Sequence, residues 1–531
     1  MHSSLMHVHA LRVHALLMKC GDGPGEKSPD KTVTQRSIDV CDGSMSIAAF
    51  RITRPIRGSS AKSAHAKAAT TKATCIVAML LGTSSFASSS ARGESSVQRD
   101  LPRPSLLLGG EAASAPASVS LDPLLPSGAE VRVERRPASA SAACALREPV
   151  CVHHDAHVSA ALAHEYARAL EQARRDLVYA LGLPAPLPDM ALGPNAGLDF
   201  YLSSDAPLDV HVAADLAFGD ESRRSGFCLA RPSRAEARRQ AAQCIAGAVL
   251  LGVDAGETPF LRRAIAGYLA SLVIAPTARD LAAVDALQAN PQLSIAGRDD
   301  AAEGAGALLL FEYVDARLAA GEPGVLPVAL AQLARSATLP GLPRYHNEPD
   351  LIDVLRGAFA GSASGFEDFM LGFAVERAFI GARDDGRRHP TLAWLGDAGR
   401  VRFDWVLSAS SLPRRVAPRR PLEAFGCAYT WLELDRVTLG KALAFRAEWE
   451  APATFRWALL TIDARGQVLG RFDLPYVQNA TAAERAIEDY DGAVGVLVAG
   501  INLGGVDLAH PFEPDHEPSE PHGFTLYLTE L

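Results

Sequence analysis

Residues 233–274 constrain the fold more than any other segment, because they are predicted to form two consecutive helices joined by a short turn. Their sequences are SRAEARRQAAQCIAGAVLLGV and TPFLRRAIAGYLASLVIA. Ser233 followed by Glu236 predicts a capping box at the start of the first helix. The side chains of the pair with donors suited to a metal are Glu236, Cys244, Asp254 and Glu257. The sequence predicts an apolar interface between the two helices.

Many zinc peptidases carry His-Glu-x-x-His and a downstream Glu on such a helix pair. The corresponding positions here are Gln243, Cys244, Gly247 and Ala264 or Ala266. Catalytic zinc needs three converging donors at about 2.0–2.2 Å, and alanine and glycine supply none. Glu236 precedes Cys244 by more than two turns, or about 12 Å of helix axis. Asp254 and Glu257 fall in the connecting turn, where carboxylates usually face solvent. We therefore expect no metal site in this pair.

The composition is that of a globular protein with ample core material. Of 531 residues, 48% are apolar and 21% are charged, and the formal net charge is −9. An acidic chain lacks the clustered Lys and Arg that neutralise nucleic-acid phosphates. The sequence therefore predicts no nucleic-acid partner.

The N-terminal region has the pattern of an export signal. Residues 1–60 are predicted to be an unstructured leader without periodic pattern, and Met45 offers an alternative start. Residues 61–91 place basic residues before a short apolar run and then small residues, so we expect a signal peptide cleaved near Ala87 or Ala91. The apolar run is too short for a permanent membrane span. We expect a periplasmic or extracellular protein.

Cysteine spacing agrees with an oxidising compartment. Cys144 and Cys151 are seven residues apart, and Cys228 and Cys244 are sixteen apart. We predict two local disulfides between these pairs, with Cys427 unpaired. No Cys-x-x-Cys occurs in the sequence, which argues against zinc ribbons and thioredoxin-like sites.

The rest of the chain divides into three parts that differ in composition and in predicted secondary structure. Residues 92–145 are rich in Ser, Ala, Pro and Arg and are predicted to be a disordered linker. Residues 146–415 form a mainly helical domain, and residues 418–531, with short alternating segments between turns, form a β-sandwich. Residues 410–421, with three prolines and four arginines, are predicted to be the hinge. The predicted fold class is α+β.

Two groups of residues outside the helix pair resemble ligand sets. His153, His157 and His164 would share one face if a helix began early, but a strand at His153 and a helix cap at Asp155 break that geometry. Acids in the C-terminal loop 511–522, including Asp515 and Glu517, could supply oxygen ligands to calcium or simply face water. No metal ligand is assigned from either group.

Motifs for a catalytic nucleophile are incomplete. Gly361-Ser362-Ala363-Ser364-Gly365 superficially resembles a hydrolase nucleophile elbow, but alanine occupies the nucleophile position. The sequence assigns no catalytic residue and no cofactor.

Several segments resemble uncharacterised secreted proteins common in myxobacteria. They include QAAQCIAGAVL (240–250), TPFLRRAIAGYLA (258–270) and PFEPDHEPSEPHGF (511–524). The resemblance covers roughly residues 145–531, and its helical part is similar to gluzincin-type metallopeptidase domains. Relatives of that wider class carry zinc-binding His and Glu residues that this chain lacks. The resemblance therefore implies a peptidase-like scaffold without its metal.

We expect an exported, non-catalytic binding or structural protein whose partner is an unknown protein or a cell-envelope component. Two alternatives remain open: an active secreted hydrolase with a nonstandard site, and a calcium-dependent adhesion module.

Overall fold

A computed structural model describes most of the chain from residue 134 onwards. The described residues are 134–531 except 191, 193–195, 218–221, 297–305, 319–322, 334, 336, 339–344, 347–348, 360–364, 384–394, 396–398, 435–441, 478, 489 and 506–519. The leader, the signal peptide and residues 92–133 of the predicted linker lie outside them. Helices and strands both contribute extensively, which confirms the α+β class.

Five strands form the first sheet. They are β1 (Ser141–Cys144), β2 (Val150–His154), β3 (Leu198–Leu202), β4 (His211–Ala217) and β5 (Arg224–Ala230). The strand order is β1-β2-β3-β5-β4, with β2, β3 and β5 parallel and the two edge strands antiparallel to their neighbours. Strand β1 lies at the end of the segment predicted as a linker.

Side-chain alternation gives this sheet two different faces. Val152 and Phe200 point into the main hydrophobic core, together with Cys228. His153 follows Val152 on β2, and Asp199 precedes Phe200 on β3. Both therefore lie on the opposite face of the sheet. One face is therefore apolar and the other carries the polar residues described below.

Eight helices, named in chain order, follow or interrupt the strands within the described residues. They are α1 (Ala160–Arg174), α2 (Ala237–Val253), α3 (Pro259–Ser271), α4 (Ala278–Ala289), α5 (Leu308–Leu318), α6 (Val325–Leu333), α7 (Leu351–Gly357) and α8 (Gly365–Arg377). A π-helical turn, Arg175–Ala180, extends α1. None of the helices in the described ranges is long and apolar enough to cross a membrane.

Both predicted helix caps are wrong. Ser159, rather than Asp155, caps α1 by accepting a hydrogen bond from the Leu162 amide. The capping box at Ser233 is wrong: α2 begins after Glu236, whose side chain makes no capping bond. Ser233 instead bonds the Tyr166 hydroxyl through its backbone, which holds the chain away from helical geometry.

Two sheets build the C-terminal sandwich. Their strands are β8 (Trp405–Ser408), β9 (Arg414–Val416), β10 (Cys427–Glu433), β11 (Leu443–Trp449), β12 (Ala453–Asp463), β13 (Val468–Asp473), β14 (Ala482–Ile487), β15 (Ala493–Gly505) and β16 (Phe524–Glu530), which follow a small hairpin of β6 (Ala337–Thr338) and β7 (Tyr345–His346). The orders are β13-β12-β15-β10-β8 and β14-β11-β16-β9. The segment predicted as a hinge instead supplies β9, which pairs with β16.

The core of the helical region continues onto the outer face of one sandwich sheet, and a second core lies between the two sheets. Helix α8 packs on strands β12 and β15, on the side of the sheet away from the second sheet. The Tyr429 hydroxyl donates to the Ala374 carbonyl at 2.7 Å, and the Arg456 guanidinium pairs with Asp368. The groove described below lies at this junction.

Both predicted disulfides are present. Cys144 is bonded to Cys151 and joins β1 to β2, and Cys228 is bonded to Cys244 and joins β5 to α2. Cys427 is unpaired and buried, as predicted. The pairing fits an oxidising environment.

Candidate functional site

The side chain of Gln240, near the start of α2, is fully hydrogen-bonded within the protein. Gln240 lies where α2 passes α1, and its side-chain oxygen accepts a hydrogen bond from the Tyr166 hydroxyl. Its amide nitrogen donates to the carbonyls of Leu208 at 3.0 Å and Arg231 at 3.3 Å. This amide is therefore a structural link.

The positions predicted to correspond to the ligands of a zinc peptidase are filled by packing contacts or by a disulfide. Cys244 is held in the disulfide to Cys228 and is not a thiolate. Gly247 lies so close to strand β4 that a Cβ atom would be 2.6 Å from Cγ2 of Val212. Ala264 on α3 is fully buried in the core. The residues present do not fit a zinc ion here.

Asp254 and Glu257, expected to face solvent, are both buried, with 2% of their surface exposed. The Glu257 carboxylate accepts hydrogen bonds from the amides of Thr258 at 2.7 Å and Leu351 at 3.2 Å. Burial, followed by the charge of Asp254, raises the pKa of Glu257 to about 7. The expectation is wrong because α7, distant in sequence, begins over this turn.

A third carboxylate completes this buried group. Asp350 caps α7 by accepting a hydrogen bond from the Asp353 amide at 2.7 Å. Burial and the neighbouring Glu257 raise its pKa well above the ordinary value. The Arg262 guanidinium donates to the Glu257 carbonyl at 2.8 Å. The bonds of Glu257 and Asp350 to amides at helix starts give this cluster a structural role.

The three histidines proposed as a ligand set do not converge. His153 is buried on β2, whereas His157 and His164 are exposed, one before α1 and the other on it. Across the described parts of the chain, no group of three His, Cys, Asp or Glu side chains could hold a metal ion. Asp515 and Glu517 lie outside the described residues, so a calcium site there stays a prediction.

A charged cluster covers the polar face of the first sheet. Arg136 pairs with Asp189 at 2.9 Å and also with Asp199 and Asp215. Burial lowers the pKa of Arg136, but the hydrogen bond to Asp215 and the charges of the aspartates outweigh it and raise that pKa above its ordinary value. These ion pairs hold the segment that precedes β1 against strands β3 and β4.

Ser139, His153 and Asp199 form a hydrogen-bonded chain beside this cluster. The Ser139 hydroxyl is 3.2 Å from His153 Nδ1, and His153 Nε2 is 3.0 Å from Asp199 Oδ1. The imidazole stacks on the Tyr201 ring with 4.5 Å between centroids. Such a chain can, in principle, move a proton from the serine to the imidazole.

Sequence reasoning missed this cluster because Arg136 and Ser139 lie in a low-complexity segment. Asp199 offered a signal: it is the one acid within the otherwise apolar strand β3. A charged residue inside a buried strand requires a partner, so its position could have pointed to the cluster.

A groove of about 460 Å³ lies where the end of α8 meets the sandwich. Its lining is mainly apolar and aromatic and includes three charged residues. The lining residues are Ala378, Phe379, Arg383, Phe403, Trp431, Ile462, Asp463, Arg465, Gly466, Val494 and Leu497. A concave, largely apolar site of this size is typical of small-molecule binding.

Comparisons with known proteins are sparse. No protein-family model matches the sequence, and no curated protein matches it. Among solved structures, the enzymatically active domain of tailspike protein 4 of bacteriophage CBA120 is similar over 22% of this chain and 18% of that chain. The sequence identity is 8% and the TM-score is 0.15, an extent of similarity that bears on neither fold nor function.

Proposed function

We propose that this chain is an exported, non-catalytic binding protein built on a metallopeptidase-like scaffold that lacks zinc ligands. One observation carries the proposal: the interior of the α2–α3 pair is closed by the Cys228–Cys244 disulfide and by the contact of Gly247 with Val212. A site closed in this way has no open position for a metal-bound water. The two disulfides support the exported location.

Hydrolysis of a fluorescein-labelled unfolded protein tests the non-catalytic part of this proposal. We expect no cleavage above the buffer rate by the purified chain, with or without added zinc. Cleavage that a zinc chelator abolishes would contradict the proposal. N-terminal sequencing of the protein from its native host tests export, with a start near Ser88 or Arg92 expected.

A serine hydrolase is the second candidate function, favoured by the Ser139–His153–Asp199 chain. A fluorophosphonate probe distinguishes the two, because it labels only an activated serine. Under the binding proposal the probe leaves Ser139 unlabelled. Labelling that Ser139→Ala removes would favour the hydrolase instead.

A further inference from the structure

Trp431 forms the floor of the groove and lies flat on the sheet. A Cβ atom at Gly495 of β15 would be 2.1 Å from Cζ2 of the indole, so glycine at this position lets the ring rest on the backbone. The ring is parallel to that of Phe403, with 10° between the planes and 6.4 Å between the centroids. The groove thus offers flat aromatic surfaces to a ligand.

Arg383 brings a positive charge into this apolar groove. Its guanidinium lies over Phe403, 3.8 Å from the ring centroid, and donates through Nη1 to the Val401 carbonyl at 2.8 Å. Within the described residues no carboxylate pairs with it. Burial, and then the charge of Arg400, lower its pKa to about 10. A partly buried cation that no described carboxylate neutralises favours the binding of an anion.

Arg465 adds a second guanidinium to the lining of the groove. Arg465 lies in the turn between β12 and β13, and its side chain has no ion pair within the ranges that the structure describes. The nearby Asp463 carboxylate accepts hydrogen bonds from the amides of Arg465 at 2.9 Å and Gln467 at 2.8 Å. Both bonds use Oδ1, and among the described residues Asp463 forms no ion pair with Arg383 or Arg465. The two guanidinium groups can therefore contact an anionic ligand.

We propose that this groove binds a small carboxylate attached to a flat aromatic body, with the ring on Trp431 and the carboxylate on Arg383 and Arg465. This inference rests on the proposed binding function. The planar guanidinium fork matches a carboxylate through two parallel hydrogen bonds. The groove volume suits a small molecule of this kind.

Isothermal titration with naphthoate tests the proposal on the full purified chain. We expect saturable binding with a dissociation constant below about 1 mM. Naphthamide, which keeps the ring without the charge, and acetate, which keeps the charge without the ring, should each bind at least about ten-fold more weakly. Tighter binding of naphthyl phosphate than of naphthoate would overturn the carboxylate assignment.

Variants locate the binding in the groove. Arg383→Met and Arg465→Met should each weaken naphthoate binding, the first by about ten-fold or more, because a charge-assisted hydrogen bond is lost. Gly495→Ala should also weaken it by displacing the Trp431 ring. Arg446→Met, at an exposed site on β11, is the matched control and should leave binding unchanged. Circular dichroism confirms that each variant is folded.

The absence of naphthoate binding, or binding that neither arginine variant alters, would overturn this inference. Neither result affects the proposed non-catalytic function, which the protein-cleavage assay tests separately. Conversely, zinc-dependent cleavage would contradict the proposed function whatever the groove binds.

Discussion

Cys228 on strand β5 and Cys244, near the middle of helix α2, are joined by a disulfide. Both residues are fully buried. The bond fixes α2 against the first sheet and removes the only cysteine of the helix pair from metal chemistry.

Removing this disulfide should lower the free energy of unfolding by about 3 kcal/mol, because a loop of this length constrains the unfolded chain by about that amount. The variant is Cys228→Ala combined with Cys244→Ala, measured by urea unfolding. The disulfide between Cys144 and Cys151 closes a shorter loop. Its removal by Cys144→Ala with Cys151→Ala should lower the free energy of unfolding by about 2 kcal/mol. A larger loss from the shorter loop would contradict the account.

Gly247→Ala should destabilise the protein by about 1–3 kcal/mol, because the added methyl group would overlap Val212 in a closely packed interface. Gly357→Ala is the matched control, since a Cβ atom there meets nothing within 4 Å at the end of α7. The control should be neutral or stabilising by up to about 1 kcal/mol. Equal effects in urea unfolding would argue against the tight contact.

Arg136→Met should lower the free energy of unfolding by about 3–5 kcal/mol, because it leaves the carboxylates of Asp189, Asp199 and Asp215 buried without their counter-ion. The neighbouring Arg135 is exposed, and Arg135→Met should change stability by less than about 0.5 kcal/mol. Chemical unfolding of both variants checks this difference. A loss below about 1 kcal/mol in Arg136→Met would show that the cluster does not hold the segment.

Glu257 should make stability depend on pH. Its pKa is raised from an ordinary 4.5 to about 7, so between these values the folded state binds more protons than the unfolded state. Stability should therefore fall as the pH rises from about 4.5 to about 7 and change little from this group above that range. Asp254, Asp350 and Arg262 surround the group and set the size of the effect.

The variant Glu257→Gln should reduce this fall, measured as the difference in urea midpoint between about pH 5 and about pH 8. Glu433→Gln, on an exposed site of β10, is the control and should retain the wild-type difference. A pH dependence unchanged by Glu257→Gln would contradict the assignment.

Local patterns predicted much of the secondary structure, because apolar periodicity is a property of adjacent residues. The α2–α3 pair and the strands around Val152 and Phe200 follow directly from such patterns. Strands β4 and β5 were missed: HVAADLA and RSGFCLA mix small, polar and charged residues, and their pairing comes from the sheet.

The sites depend on contacts between distant parts of the chain. Glu257 is buried by the start of α7, and Arg383 and Trp431 line one groove only because the helical region packs on the sandwich. Local patterns in a single sequence carry no signal for such pairs. Cysteine spacing is the exception, because short loops limit the partners that a thiol can reach.

The metal content of the protein, purified under oxidising conditions and dialysed against buffer containing zinc and calcium, tests the central claim most directly. With no three donors converging in the α2–α3 pair, we expect less than about one zinc ion per ten chains. One zinc ion per chain, lost on Cys244→Ala or Glu257→Gln but retained in Glu433→Gln, would show that this helix pair holds a metal and would contradict the account.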